Sequence, residues 1–466
     1  MLLSTAPFFV FYLIVWLLYW LLARSRTGRL FVLLAANLFF LSKFGLLYFL
    51  MPVAATIDFL VGLGLARTDR LGEGKGTRRV LLAVSLVLNV GLLVGTKIFS
   101  AMTAESYSWL LTLSLSFYCF QALTYTVDLY RREDGAEATR SWLEYMGAAM
   151  FFPVMVAGPI LRLHEFLKQL FRKPELTREM AGRALLLIGI GLVKKLLIAD
   201  FLAENLVTRV FDTPTLYSGL EVLMAVYGFA LQLFFDFSSY TDIALGVGLL
   251  LGLRLPENFN RPYISVNLMD FWRRWHISFS FWLRDYIQER LPQRRRTWPL
   301  TSYCYSVILT FVLGGLWHGI GWTFLTWGLL HGVALATVRL WTQWRKRSRG
   351  KKKPSAAGTV VAQLVTFHFV CFTWIFFHAS SMANAFEVLG RLGSLTWGHD
   401  NLTLPIMGVM GLAAVAHCLP IKWLDGSADL LGRMPFWAQG LALAGLVLAI
   451  QSLSGRGSAT FIYGSF

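Results

Sequence analysis

Apolar runs long enough, or nearly long enough, to cross a bilayer recur from one end of the chain to the other, separated by short polar connections. They predict helical spans near 7–23, 29–42, 45–66, 79–100, 107–130, 184–202, 217–236, 238–253, 299–316, 320–341, 359–379, 404–420 and 436–453. The segment 143–161 is also apolar, but Pro153 and Gly158-Pro159 interrupt "EYMGAAMFFPVMVAGPI" and make it a candidate re-entrant segment. Several runs fall short of the roughly 20 residues that a full crossing needs. Short or broken helices persist at membrane depth where protein buries them or where they line a cavity. The pattern predicts an all-α polytopic membrane protein of about eleven to thirteen transmembrane or re-entrant helices, in a single integral domain over residues 1–466.

Composition supports that class. Of 466 residues, 56% are hydrophobic and 15% charged, against about 25% charged in an average soluble domain. The net charge of +17 would suggest nucleic acid in a soluble protein. In this setting the basic residues mark cytoplasmic loops that meet anionic lipid headgroups, and no nucleic-acid partner is expected. The basic connections at 24–29, 67–79, 131–140, 162–183, 290–296 and 345–353 fall on one side if the N-terminus is outside the cytoplasm. The first apolar run has its positive flank after it, which reads as an uncleaved span rather than a signal peptide. Residues 345–358 read as a flexible linker. Cys119, Cys304, Cys371 and Cys418 are scattered in apolar segments without metal or disulfide spacing.

Few signatures of soluble chemistry survive inspection. "GEGKGT" (72–77) suggests a phosphate loop, but Asp69 stands where its first glycine belongs and Gly76 follows Lys75, so it reads as a solvated turn. The eight histidines form no HExxH or Cys/His pattern, and no metal site is expected. No GxSxG elbow occurs.

The polar residues inside apolar stretches matter more, because ionisable groups at membrane depth are costly and commonly functional. His318 lies in "VLGGLWHGIGWTFLTWGLLHG" (312–332), among small residues and tryptophans. It is either a reactive imidazole or a bond to a neighbouring helix. His331 reads as its packing partner. "FWRRWHISFSFWLRDYIQERL" (271–291) has the length of one helix. Helical spacing places Trp272, His276 and Phe279 on one side and Arg274, Ser278 and Phe281 on the other. Such a helix suits the membrane surface or the floor of a wet cavity. In "LQLFFDFSSYTDIALG" (231–246), Gln232, Asp236 and Tyr240 share a face, with the arginines of 273–284 as candidate partners for the buried carboxylates.

These stretches carry a resemblance. "LSFYCFQALTYTVDLYR" (115–131), "FFPVMVAGPILR" (151–162), "LQLFFDFSSYTDIALGVGLLLGLRLPENFNRPY" (231–263), "DFWRRWHISFSFWLRD" (270–285), "GGLWHGIGWTFLTWGLLHG" (314–332), "FTWIFFHASSMANAF" (372–386) and the ending "FIYGSF" occur in this order. The chain resembles the membrane-bound O-acyltransferase family. It is most similar to the bacterial branch that acetylates alginate, peptidoglycan and cellulose or transfers D-alanine to teichoic acids. It departs from that branch after "FWLRDY", where "IQERLPQRRR" replaces the usual "YIPLGGNR". It also departs at "FIYGSF" in place of "FIYFQF", and at His378 where an arginine is usual.

The resemblance implies a helical fold around a tunnel, with His318 of "LWHG" as the catalytic residue and His276 of "FWRRWH" as a second functional position. Asp236, Tyr240, Trp272, Arg274, Ser278 and Trp317 are the implied tunnel-lining candidates. It implies acyl transfer, acetyl first, from a cytoplasmic thioester (acetyl-coenzyme A or an acyl carrier protein) to hydroxyls of an extracytoplasmic polysaccharide. That transfer runs directly or through an extracytoplasmic partner acetyltransferase, in the bacterial inner membrane and with no bound cofactor. Two other readings stay open on the residues themselves. One is a transporter or channel lined by the intramembrane polar groups. The other is a lipid or protein O-acyltransferase.

Overall fold

The computed structural model describes residues 2–72, 75–102, 108–291, 299–349 and 355–453. Among these residues every regular element is helical. The basic run 290–296 beyond Leu291, part of the 72–77 turn, the middle of the 345–358 linker and the "FIYGSF" ending lie outside the described residues. Six described helices are long and apolar enough to cross a membrane: Leu47–Leu71, Lys75–Phe99, Gly219–Leu250, Leu300–His318, Trp322–Arg345 and Ala356–His378. A seventh results if the bent pair Leu404–Cys418 and Lys422–Arg433 counts as one span. The chain is a multi-pass, all-α membrane protein. The larger number expected from hydropathy included shorter helices such as Ala6–Leu21, Arg26–Ser42 and Arg178–Val193. One expected break is absent. The predicted spans 217–236 and 238–253 form a single 32-residue helix, Gly219–Leu250. The polar run at its middle contains neither Pro nor Gly to interrupt it, and Asp236 finds a buried partner.

The chain divides into two units. The first comprises Met1–Leu192, Ser239–Pro256 and Leu424–Ala449. Its core is an aromatic cluster in which Phe8, Phe11, Phe40 and Phe152 pack ring on ring. The interrupted segment behaves as its prolines require. A helix Trp142–Ala149, capped by Ser141, ends before Pro153, and the buried backbone that follows is held by another helix. Asn37 donates to the Met146 carbonyl and accepts from the Phe152 N–H. Irregular backbone away from water needs such partners. Asp58, fully buried, accepts from Ser85, Asn89 and Tyr118 and so ties three helices together. The helix Lys75–Met102 turns Val80, Val84, Val87 and Val90 outward, as a lipid-facing surface does.

The second unit comprises Val193–Ser238, Glu257–Trp423 and Ile450–Phe466. Its centre is a hairpin of two helices, Pro299–His318 and Trp322–Arg349, joined by three residues. Glycines let the two backbones touch. A Cβ at Gly315 would meet the Phe324 carbonyl oxygen, and one at Gly328 would meet that of Phe311. Gly328→Val is therefore expected to unseat the hairpin and lower the melting temperature and folded yield sharply in detergent. Gly321→Ala, whose nearest neighbours lie at 3.9 and 4.0 Å, is expected to leave both unchanged.

The stretch 271–291 is not the single helix that its length suggested. Leu268–Trp272 forms one short helix and Ile277–Trp282 another, which runs on as a π-turn over Leu283–Ile287. The break falls at His276, whose φ of 43° is left-handed. The turn gives its backbone groups to a neighbouring loop instead of to a helix. Asn260 N–H donates to the Arg274 carbonyl and Ile277 N–H to that of Asn258. The two-sided helical face predicted for Trp272, His276 and Phe279 is accordingly lost.

Candidate functional site

His318 is the last residue of its helix and is half-buried. Aromatic rings surround the imidazole: Trp317 at 4.5 Å between centroids, Phe377 at 4.8 Å, Trp327 at 5.3 Å, Phe279 at 6.2 Å and Phe324 at 6.4 Å. The helix ends at His318, which leaves the ring half-buried among these aromatics. An imidazole that is partly desolvated yet reachable suits proton transfer with a bound substrate.

Phe279 links this ring to the second histidine. It packs at 4.9 Å from His276 and at 4.4 Å from Trp317. His276 is only 1% exposed and lies between Phe279, Phe237 and Phe259. Its orientation is set by Asn258, a residue that was not among the expected site residues. Asn258 Oδ1 accepts from the Ser278 N–H at 3.2 Å and the Ser278 hydroxyl at 2.9 Å, and lies 3.1 Å from His276 Nδ1. An oxygen that takes a backbone N–H is an acceptor. Nδ1 must therefore carry the proton, which leaves Nε2 as the acceptor of the neutral ring. The signal available in the sequence was the asparagine-rich run "ENFNRPY" immediately before a polar helix.

The other candidates are distributed. Ser278 joins His276 on Asn258, and Trp317 lies beside His318. Trp272 is buried against Phe311 and Trp327 and donates to His331 Nδ1 at 3.3 Å. His331 Nε2 pairs with Thr373 at 2.9 Å, so both its nitrogens are used in packing. Arg274 pairs with Asp270 one turn away at 3.0 Å. Tyr240 is buried and belongs to the first unit.

Asp236 departs from expectation. Its partner is not an arginine of 273–284 but Lys195, at 2.9 Å, which also pairs with Asp200 at 2.8 Å. Arg284 instead pairs with Asp285. Lys195 belongs to a π-helical stretch, Lys194–Ala199, which turns it into the protein interior. A lysine pair inside the apolar run "GIGLVKKLLIADF" was the unread signal.

The sequence profile described as "MBOAT, membrane-bound O-acyltransferase family" matches residues 8–381, most of the chain and both histidines. The chain belongs to the membrane-bound O-acyltransferase family. Transfer of an acyl group to oxygen is thus the class of its chemistry. A peptidoglycan O-acetyltransferase of Helicobacter pylori is 32% identical over 397 residues, which cover 78% of this chain and 73% of that protein. A probable alginate O-acetylase of Azotobacter vinelandii is 35% identical over 288 residues, covering 61% and 54%. A teichoic acid D-alanyltransferase of Bacillus subtilis is 35% identical over 237 residues, covering 49% and 59%. The chain thus spans a little over half the length of the latter two relatives. Within this membrane-bound O-acyltransferase, the paired-histidine cluster draws on segments that are far apart in the sequence: Asn258, His276–Phe279, Trp317–His318, Trp327 and Phe377.

One consequence is measurable. Asn258→Ala is expected to lower kcat about tenfold or more, with little change in donor KM, because His276 and Ser278 lose a shared acceptor. Asn258→Asp keeps an acceptor oxygen and is expected to recover most of the rate. Equal rates for wild type and Asn258→Ala would separate His276 from the reaction.

Proposed function

We propose that this chain transfers an acyl group, acetyl first, from a cytoplasmic thioester to hydroxyls of an extracytoplasmic polysaccharide, directly or through a partner acetyltransferase. It does so in a bacterial cytoplasmic membrane with its N-terminus outside. The observation that carries the reading is the half-buried imidazole of His318 at a helix end within an aromatic shell, inside the segment that matches the family. The relatives named for peptidoglycan, alginate and teichoic acid support the polymer acceptor.

In the proposed mechanism, a neutral His318 nitrogen takes the proton of the acceptor hydroxyl as that oxygen attacks the thioester carbonyl carbon. The tetrahedral oxyanion is steadied by an arginine or a backbone N–H. Its collapse breaks the carbon–sulfur bond. The thiolate leaves and takes the proton back from the imidazolium, so charge and protons balance. His276, buried beneath Phe279, is a positioning residue in this scheme: with Nδ1 held by Asn258, it fixes the ring against which Trp317 and His318 pack. No bound cofactor takes part.

The test is transfer of radiolabelled acyl groups in inverted membrane vesicles, with acetyl-coenzyme A and an acylated carrier protein offered separately. Label in polysaccharide, or in a partner protein, supports the reading and names the donor. Absence of label from both donors, in vesicles that hold the folded protein and its polymer, would overturn it.

A further inference from the structure

The carboxyl group of Asp58 stands where the helices Leu50–Leu71, Lys75–Met102 and Ser108–Arg131 meet, inside the first unit. His276 and His318 belong to the other unit. Asp58, Ser85, Asn89 and Thr126 are wholly buried, and Tyr118 nearly so. Asp58 Oδ1 lies 2.6 Å from the Ser85 hydroxyl and Oδ2 lies 2.9 Å from that of Tyr118. The Asn89 amide nitrogen reaches both oxygens, at 3.1 and 3.0 Å. All of these partners are neutral, and among the described residues no Lys, Arg or His touches the carboxyl. The charges of the packed helices are engaged elsewhere: Asp69 with Arg78 and Arg132, Asp128 with His164, and Glu144 with Arg26. Lys97 lies about two turns beyond Asn89 on its helix. The titratable side chains that face Asp58 are Tyr118, Cys119, Tyr125 and Tyr145, which are uncharged at neutral pH.

Hydrogen-bond accounting decides how this group can be neutral. The Asn89 nitrogen also meets the Ser85 carbonyl oxygen at 2.9 Å, so it is a donor and takes no proton from the carboxyl. Ser85 Oγ can accept one. It lies 2.8 Å from Thr126 Oγ1, which lies 3.5 Å from the Ala122 carbonyl oxygen. With Asp58 ionised, Thr126 donates to Ser85 and Ser85 to the carboxylate. With Asp58 protonated, Oδ1–H donates to Ser85, Ser85 to Thr126, and Thr126 to the carbonyl one turn back in its own helix, a bond that threonine commonly makes. Tyr118 and Asn89 go on donating to Oδ2. Both arrangements fit the same heavy-atom positions, and neither orphans a donor.

The two arrangements differ by one proton and one charge. An ionised carboxylate in an apolar interior without a cation is costly, and such a group takes up a proton instead. The hydroxyl chain lets it do so without losing a bond. We propose that Asp58 is a proton-binding site, which carries a dissociable proton on the Asp58–Ser85–Thr126 chain and is neutral in the folded protein at neutral pH. The proton is then what lets one carboxyl clamp three helices. Its loss would leave a bare charge between them.

Infrared difference spectroscopy of the purified full-length protein in detergent tests this. Wild type at neutral pH is expected to show a carboxylic-acid C=O band that Asp58→Asn loses. The asparagine amide can donate to Ser85 as the acid proton does, so the variant is expected to melt close to wild type. Absence of any such band loss means that Asp58 is ionised and overturns the site. Stabilisation of wild type, but not of Asp58→Asn, by sodium against choline at equal ionic strength would then identify a metal cation as what neutralises the carboxylate. Should Asp58→Asn not fold, Ser85→Ala decides. It removes the acceptor of the proton, so the acid band is expected to shift. A band that stays in place belongs to another acid and overturns the site.

Discussion

His318→Ala is expected to cut acyl transfer by about 10²–10⁴-fold while the protein still inserts and folds. That range is what a positioned general base contributes, and an alanine leaves water as the base. Folding is expected to survive because His318 ends its helix and is half-buried, so its loss opens no sealed cavity. His318→Gln preserves much of the volume but accepts no proton at neutral pH, and should lose as much rate. The measurement is single-turnover transfer from the donor identified in vesicles, with gel-filtration profile and melting temperature recorded alongside. Wild-type turnover in a well-folded His318→Gln would remove the imidazole from the mechanism.

A different kind of loss is expected at Lys195. Its ammonium lies within 2.9 Å of both Asp200 and Asp236, and all three side chains are buried. Lys195→Met would leave two carboxylates in an apolar interior with their shared cation gone. Breaking a buried pair in this way costs about 3–5 kcal/mol. The variant should therefore fail to accumulate as folded protein, or melt far below wild type. Asp200→Asn keeps the Lys195–Asp236 pair and should cost much less. Lys195→Met with Asp200→Asn and Asp236→Asn removes every charge and should regain much of the loss. Normal stability in Lys195→Met alone would show that water or another cation serves the carboxylates. Asp236 also sits next to Phe237, which packs on His276, so partial unfolding here should lower activity as well.

Hydropathy was enough to establish a helical, multi-pass membrane protein, because unpaired backbone in lipid leaves helices as the form for long apolar segments. It also raised His318 and His331 as polar groups in a glycine- and tryptophan-rich span, but not that His331 would spend both ring nitrogens on Trp272 and Thr373. The prolines of 143–161 announced their break for a local reason: a proline interrupts the helix that contains it.

What hydropathy left open depended on contacts between residues far apart in the chain. The run 271–291 has a helix's length and pattern, yet Asn258 and Asn260 capture the backbone of its turn and drive His276 into a left-handed conformation. Helical spacing cannot anticipate that capture, because the competing hydrogen bonds come from another segment. Asp236 met Lys195 rather than the nearby arginines because a π-helical stretch turned the lysine inward. Periodicity told which residues share a face of a helix. The tertiary structure decided which face met which, and therefore that Phe279 stands between His276 and His318 and that the Tyr263 N–H meets His417.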